Sequence, residues 1–540
     1  MSKNGLKSLW TRLDGERQWH LEEGRRNAEM VDWTILPPEN ADQNTRAAER
    51  YQSVAPRGVD RLAGLMTNAM IPHGLNWLAQ DIPPEVAFDP GIPEEVKTKL
   101  RLQSHIEARV IQGNLEQAYL EADDNAGSDG FHTAMLREIR QLIVTGDTLT
   151  LVADDLRKHL YRNDQYVTLR NGRLEVVCHV IREVADVLSL DKEWVATNDL
   201  SEIASLDKPI ETRQKELYTK VEWNPRENHW DITQEFDGKE YQPGKMTREV
   251  SPYICVSTSL APGSSYGRAF MTNIASDVTT LDALSQAALE CAAVCADVKW
   301  VIDASSQARE MDLMKKPLSV IRANVRGGQI QDIGVLQGQV SSGFNVIREL
   351  IEMKRAEVGY FFMLTNEMVR QSERTTATEV LQLQKQLDEH LGGLYTPIAD
   401  MMLRPLAYIA RDILIKKKKL PAYTAEQKRM TPPKIVTGAA ALVRRNKLDS
   451  LVSLQRLATE MGEGALRYIN TKKILDEVTK QLALDDLQVV KSDEQVAQED
   501  QAAQQARVAE QSAIAANQQA ASTAGAVTEQ VALQQLAPGA

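Results

Sequence analysis

The chain has 540 residues, 75 acidic against 63 basic, for a formal charge of −12; at roughly 150 residues per domain this allows three or four domains. Because nucleic-acid grip draws on counterions released by basic groups, that balance argues against a general DNA-binding protein, while leaving room for local contacts or for enclosing DNA without gripping it. Apolar residues make up 43% and aromatic ones only 5%, a globular balance with a largely aliphatic core, and no stretch approaches the ~20 apolar residues that span a bilayer.

The opening MSKNGLKSLW has a basic start but no apolar block or cleavage site, so it does not read as a signal peptide. Cys178, Cys255, Cys291 and Cys295 form no Cys-x-x-Cys pair, which fits synthesis in a reducing cytoplasm. The first 50 residues are rich in charge and read as helix interrupted at Pro37-Pro38. Leu62, Leu65, Met66, Ala69 and Met70 then recur at helical spacing, and the segment ends at Ile71-Pro72-His73-Gly74. After a Pro-rich loop at 83–93, residues 94–122 again predict helix. Met135, Leu136, Ile139, Leu142 and Ile143 form another stripe, leading into Thr145-Gly146-Asp147.

The middle changes character. Tyr166–Arg170 and Arg173–Val177 flank Asn171-Gly172, the strongest short hairpin signal. A second pair, Leu217–Trp223 and Trp230–Phe236, is joined by a turn with Pro225, and Tyr253–Val256 adds a third apolar run. Residues 160–260 therefore predict antiparallel sheet.

Helices return at Asp277–Val298, where Val278, Leu281, Leu284, Ala288, Cys291, Val294 and Val298 step by three or four among alanines. The Gly-dotted text of 299–339 predicts strands and loops, and Phe344–Leu364 a second long helix. Thr365–Arg374 is polar and aperiodic. Thr376-Ala377-Thr378-Glu379 fits a capping box opening a third helix, with stripe Val380, Leu383, Leu387, Leu391 and Leu394, and Gly392-Gly393 sit where another backbone could approach closely or the helix could bend. Lys416–Lys419 reads as a solvated helix end suited to the helix dipole. The Ala/Gln-rich last 50 residues read as a helix with small residues on its contact face.

Chemistry signals are few. Gly263-Ser264-Ser265-Tyr266-Gly267 matches the Gly-x-Ser-x-Gly of esterases, with Ser265 as nucleophile, yet the one later histidine is His390, set among Gln, Asp and Glu. Gly238-Lys239-Glu240 and Gly244-Lys245-Met246 lack the Ser/Thr of a phosphate loop. Cys291 and Cys295 could share a helix face but have no His or further Cys close in sequence to complete a zinc site, and read as small buried apolar groups. Arg322, Arg326, Lys354, Arg355, Arg370 and Arg374 read as solvated cations, or as weak contacts to a polyanion.

Three stretches together resemble the portal, or head-to-tail connector, family of short-tailed bacteriophages. They are Pro56-Arg57-Gly58-Val59-Asp60-Arg61-Leu62-Ala63-Gly64-Leu65-Met66 with Ile71-Pro72-His73-Gly74 and Trp77; Leu260–Arg268, with its Tyr266-Gly267-Arg268 turn; and Arg374–Val380 running through Leu391-Gly392-Gly393-Leu394-Tyr395 to Arg404-Pro405-Leu406. The resemblance covers about residues 10–480 and is weakest in 299–340 and the tail. It implies an α+β, mainly helical subunit of a dodecameric ring around a channel for double-stranded DNA, non-enzymatic and without metal or cofactor. The implied order is a wing with antiparallel sheet (1–275), a first stem helix (276–298), a small mixed clip (299–340), a second stem helix (341–364), a channel loop (365–375), a kinked helix (376–394), remaining wing and crown (395–480), and a barrel helix (481–540).

In that layout Met368, Arg370 and Arg374 belong to the channel loop, Arg370 and Arg374 either touching DNA or pairing with Glu367, Glu373 or a neighbouring subunit, and Gly392 and Gly393 form the kink. Ser265 becomes a loop residue. The implied partners are further copies of the chain, the terminase large subunit, scaffolding protein, major capsid protein, tail adaptor proteins, internal core proteins and the DNA itself, read without sequence specificity; the implied location is the portal vertex of the virion, with no membrane. The alternatives are a serine hydrolase using Ser265 and another helical virion assembly protein, the latter disfavoured by the central sheet.

Overall fold

The computed structural model describes residues 5–71, 77–120, 130–302, 325–364 and 395–435, apart from breaks inside these stretches, together with 453, 454 and 456. The chain divides into two units, Met1–Ala441 and Leu442–Ala540; in the second, the described residues are 453, 454 and 456.

The amino-terminal helix is broken earlier than its prolines suggest. Helices α1 (Leu6–Glu16) and α2 (Gln18–Val31) meet at Arg17, and Pro37-Pro38 lies beyond the second. The reason is tertiary. Arg17 is buried, its guanidinium held over the Trp10 ring at 5.6 Å and donating to the Asn163 carbonyl at 2.6 Å, so the chain bends to seat it. At the other end of α1, the Glu235 carboxylate accepts from the backbone N–H of Leu6, an anion at a positive helix terminus.

Helix α3 (Val54–Met70) buries Val59, Leu62, Ala63, Met66, Ala69 and Met70, with Leu65 half-buried at the edge of the stripe. It packs with α2, α4 (Glu94–Leu120) and α5 (Phe131–Thr145) into the main core. Within that core Arg411 and Glu107, both almost fully buried, pair at 3.3 Å.

The antiparallel region forms two sheets, not one. β4 (Tyr166–Arg170), β5 (Val176–Asp186), β6 (Gln214–Asn224), β7 (His229–Phe236) and β8 (Lys239–Arg248) make a five-stranded meander in sequence order, with Leu217 opposite Phe236 and Trp223 opposite Trp230. A three-stranded sheet has β2 (Asp147–Val152) between β3 (Lys158–Tyr161) and β9 (Tyr253–Ser257), so the last strand pairs with one about a hundred residues earlier.

The Asn171-Gly172 hairpin is longer than a two-residue turn. Asn171 Oδ1 accepts from the N–H groups of Arg173 and Glu175, and Leu174, not Gly172, takes the left-handed conformation (φ 65°). An Asn side chain that can mimic a backbone turn thus displaces the expected Asn-Gly geometry.

Two long helices follow, α6 (Ala275–Ala296) and α7 (Ser341–Phe361). Between them lie strand pairs 299–302 with 333–336 and 325–326 with 329–330, as the Gly-dotted text predicts. Helix α8 (Tyr395–Lys416) packs on β9 and α4 with Pro405 inside it. The third helix from Thr376 and the Ala/Gln tail lie outside the described residues.

Candidate functional site

A buried polar centre lies where the chain leaves the sheets for the first long helix. Helix α5 ends at Gly146, whose left-handed φ of 84° lets its N–H reach the Leu142 carbonyl and turns the chain at once into β2. That turn buries the next residue, Asp147. Its Oδ2 lies 3.1 Å from Nε2 of His20 and accepts from the Gly267 N–H at 2.9 Å, while Oδ1 accepts from the Ser257 hydroxyl. Three partners from three separated stretches satisfy one buried carboxylate, which would otherwise be costly to bury.

The His20 ring stacks on Tyr266, centroids 4.9 Å apart. Tyr266 accepts a hydrogen bond from the Thr168 N–H through its hydroxyl, and burial pushes its pKa up to about 12, so it stays neutral. Beside it His179, bonded to Thr168 at 3.0 Å, has its pKa lowered to about 3 by burial, with the Arg170 cation adding to the effect.

Gly146 and Gly267 let two backbones cross here. A Cβ on Gly267 would lie 2.1 Å from the Thr258 carbonyl oxygen, and one on Gly146 2.7 Å from the Ala269 nitrogen. The Tyr266-Gly267-Arg268 turn is therefore fixed by steric necessity as well as by Asp147. From it the chain passes Phe270, which stacks on Phe361 at 4.6 Å, and enters α6.

The roots of the long helices are held to the body. Val278 and Leu281 of α6 and Val358 of α7 are buried, and Asp282 accepts from the N–H groups of Tyr51 and Gln52 at 2.7 and 3.1 Å. Lys354 joins the pair, donating to Asp277 at 3.0 Å and Glu357 at 2.7 Å, and these bonds raise its pKa. Beyond the roots the two helices pack on each other. Val346, Leu350 and Met353, spaced by four and three, stand 57%, 38% and 48% exposed, and Leu289 of α6 58%. Among the described residues this spacing makes an exposed apolar seam on the helix pair.

The candidate nucleophile Ser265 has a structural occupation. Its hydroxyl accepts from the Arg170 N–H at 3.3 Å and its carbonyl from Arg170 Nε at 3.2 Å. Its loop is closed by a Leu260–Gly267 bridge rather than forming the strand-to-helix elbow such a nucleophile needs. The nearby Ser257, Asp147 and His20 are in the wrong order for catalysis, since the carboxylate sits between the other two instead of behind the histidine. Gly238-Lys239-Glu240 and Gly244-Lys245-Met246 fall in the β7–β8 hairpin and in β8. Among the described residues no group of three metal-binding side chains is found, and no helix is long and apolar enough to cross a membrane.

Met368, Arg370, Arg374, His390, Gly392 and Gly393 lie outside the described residues, as does Arg322. Sequence reading missed Asp147, His20 and the glycine crossing as a unit. The available signals were Thr145-Gly146-Asp147 at a helix end and the glycine of the Tyr266-Gly267-Arg268 turn, but nothing local pairs them.

Residues 3–489 match the family described as bacteriophage head to tail connecting protein. The portal protein of Escherichia phage T7 is 22% identical over 514 residues, covering 92% of this chain and 90% of its own. Those of Enterobacteria phages T3 and SP6 are 23% and 24% identical, each covering 92% of this chain and, respectively, 90% and 92% of their own. Among solved structures, a chain of the virion of a native gene transfer agent particle aligns at 11% identity and TM-score 0.30, covering 70% of this chain and 88% of that one. A chain from the neck of that particle, computed with C12 symmetry, aligns at 12% identity and TM-score 0.25, covering 67% and 98%.

Proposed function

The chain belongs to the bacteriophage head-to-tail connecting protein family, and from that premise we propose that it is the portal subunit, identical copies of which close into a dodecameric ring at one vertex of the head. Double-stranded DNA passes through the ring during packaging and again at ejection. The observation that carries this reading is the exposed apolar seam Val346, Leu350 and Met353 on a helix pair whose roots are firmly anchored. A single copy leaves that seam wet; a ring of identical neighbours covers it, each subunit offering one face and receiving another.

In this reading residues 1–275 form the wing, 276–298 and 341–364 the stem, 299–340 the clip, 365–375 the channel loop with Met368, Arg370 and Arg374, and 376–394 the helix kinked at Gly392 and Gly393. Residues 395–480 complete wing and crown, and 481–540 form the barrel. Terminase large subunit and later the tail adaptor proteins dock on the clip side; scaffolding, major capsid and internal core proteins meet the head side. The ring does no covalent chemistry, which agrees with the occupied Ser265. The acidic balance of the chain supports a channel wall that repels DNA and so lets it slide.

Negative-stain microscopy of the purified full chain tests this. Annular particles with a central hole are expected. Monomers or dimers persisting at high concentration, with no annuli, would overturn it.

A further inference from the structure

Helix α8 ends in a basic ridge that the ring reading does not use. Lys416, Lys417, Lys418 and Lys419 are all exposed, and among the described residues none of the four has a carboxylate partner; the side-chain bond found is from Lys419 Nζ to the amide oxygen of Asn114 at 2.8 Å. The helix dipole accounts for cations in a last turn. It does not account for the conformation that follows.

The Lys419 N–H reaches the Leu414 carbonyl at 2.9 Å and the Lys418 N–H that of Ile415 at 3.0 Å, the paired bonds of a Schellman motif. Its left-handed residue, normally glycine, is Lys418 at φ 59°. Helix α7 ends in the same motif with Met363 at φ 58°, but Met363 is 4% exposed, so packing repays its backbone. Lys418 is exposed and gains no such packing. A strained, solvent-facing lysine where glycine would serve the fold better points to a use for its charge. The ridge is also rigid, because Leu414 is fully buried before it and Leu420 is buried behind it.

We propose that Lys416–Lys419 is a contact site for the phosphate backbone of duplex DNA, separate from the channel loop. Lysines serve phosphates as point charges but are depleted where proteins bind proteins, and among the described residues no exposed large apolar group adjoins the ridge in sequence to make an interface core. A duplex offers one charge per ~1.7 Å of axis, dense enough to engage several neighbouring ammonium groups without reading bases. Choosing DNA as the polyanion rests on the portal reading.

The test measures binding of a linear duplex to the full-length protein between 50 and 200 mM salt, for the wild type and for a variant with all four lysines replaced by Gln. The variant should bind at least ten-fold more weakly at the lowest salt. Its log–log salt slope should be shallower by up to about 3.6 per engaged subunit, at about 0.9 per phosphate contact. Equal affinity and slope would overturn the proposal, as would preferential binding of polyglutamate to the ridge, which would assign it to an acidic protein instead. Lys418→Gly alone should raise the melting temperature while weakening DNA binding; a lowered melting temperature would remove the strain argument. Microscopy of the same samples reports ring formation independently, so a failed ring and a failed ridge are told apart.

Discussion

The Phe362 side chain sits against Gly58 so closely that a Cβ on the glycine would lie 2.5 Å from the ring's Cγ and 2.7 Å from the phenylalanine's own Cβ. The glycine of the Pro56-Arg57-Gly58 stretch is thus the floor on which the end of α7 rests. Gly58→Ala gains about 1 kcal/mol of helix propensity, but rotating the ring cannot clear a contact that includes Cβ, and overpacking costs about 1–3 kcal/mol. We expect a net loss, read as a lowered melting temperature. Adding Phe362→Leu should recover little of it, because leucine keeps the Cβ and Cγ that make the clash.

Gly267→Ala should be far more damaging than its size suggests. The added carbon meets only backbone atoms, which cannot rotate away, so little folded protein should be recovered. Ser265→Ala, two residues earlier, loses one hydrogen bond worth about 0.5–1.5 kcal/mol and should leave assembly intact. Comparing soluble yield and melting curves of the two separates a steric role for the turn from a chemical one.

Replacing Asp147 with Asn turns one of its acceptor oxygens into a donor facing a donor. Leaving a buried hydrogen-bonding group unpaired typically costs about 1–3 kcal/mol. Urea denaturation should show a midpoint shift of that size, and a shift below about 1 kcal/mol would mean that the Asp147 contacts with His20, Ser257 and Gly267 are of little account for stability.

His179 predicts an acid sensitivity. The folded protein holds it neutral down to about pH 3, whereas the unfolded chain protonates it near its ordinary 6.5. Between those values the unfolded state binds the extra proton, so stability is full above about 6.5 and falls as pH drops, by at most about 1.4 kcal/mol per unit. His179→Gln should flatten this part of the stability–pH curve relative to the wild type, leaving the carboxylate contribution in both.

Leu350→Glu places a charge on the open stem seam, where Leu350 is 38% exposed in the single chain. Monomer stability should change by no more than about 0.5 kcal/mol, while ring formation measured by sedimentation should fail. Unchanged rings would move the subunit contact to another face.

The long helices are legible locally, because the three-and-four stepping of apolar residues over 54–70, 131–145 and 275–296 is a property of each segment alone. The local sequence also carried the second hairpin, whose turn is short. It did not determine β8, which holds Pro243 and Gly244 and survives because it is an edge strand. Nor did it determine β2, which is central in its sheet and buried nearly throughout, so that no alternation marks it.

What individual residues do emerges from packing. Gly58 needs Phe362, Gly146 needs Gly267, and Asp147 needs His20 and Ser257. Each pairing joins segments more than a hundred residues apart. Periodicity reports which face of an element is apolar, whereas these relationships depend on which backbones touch, a property that exists only after the elements have packed.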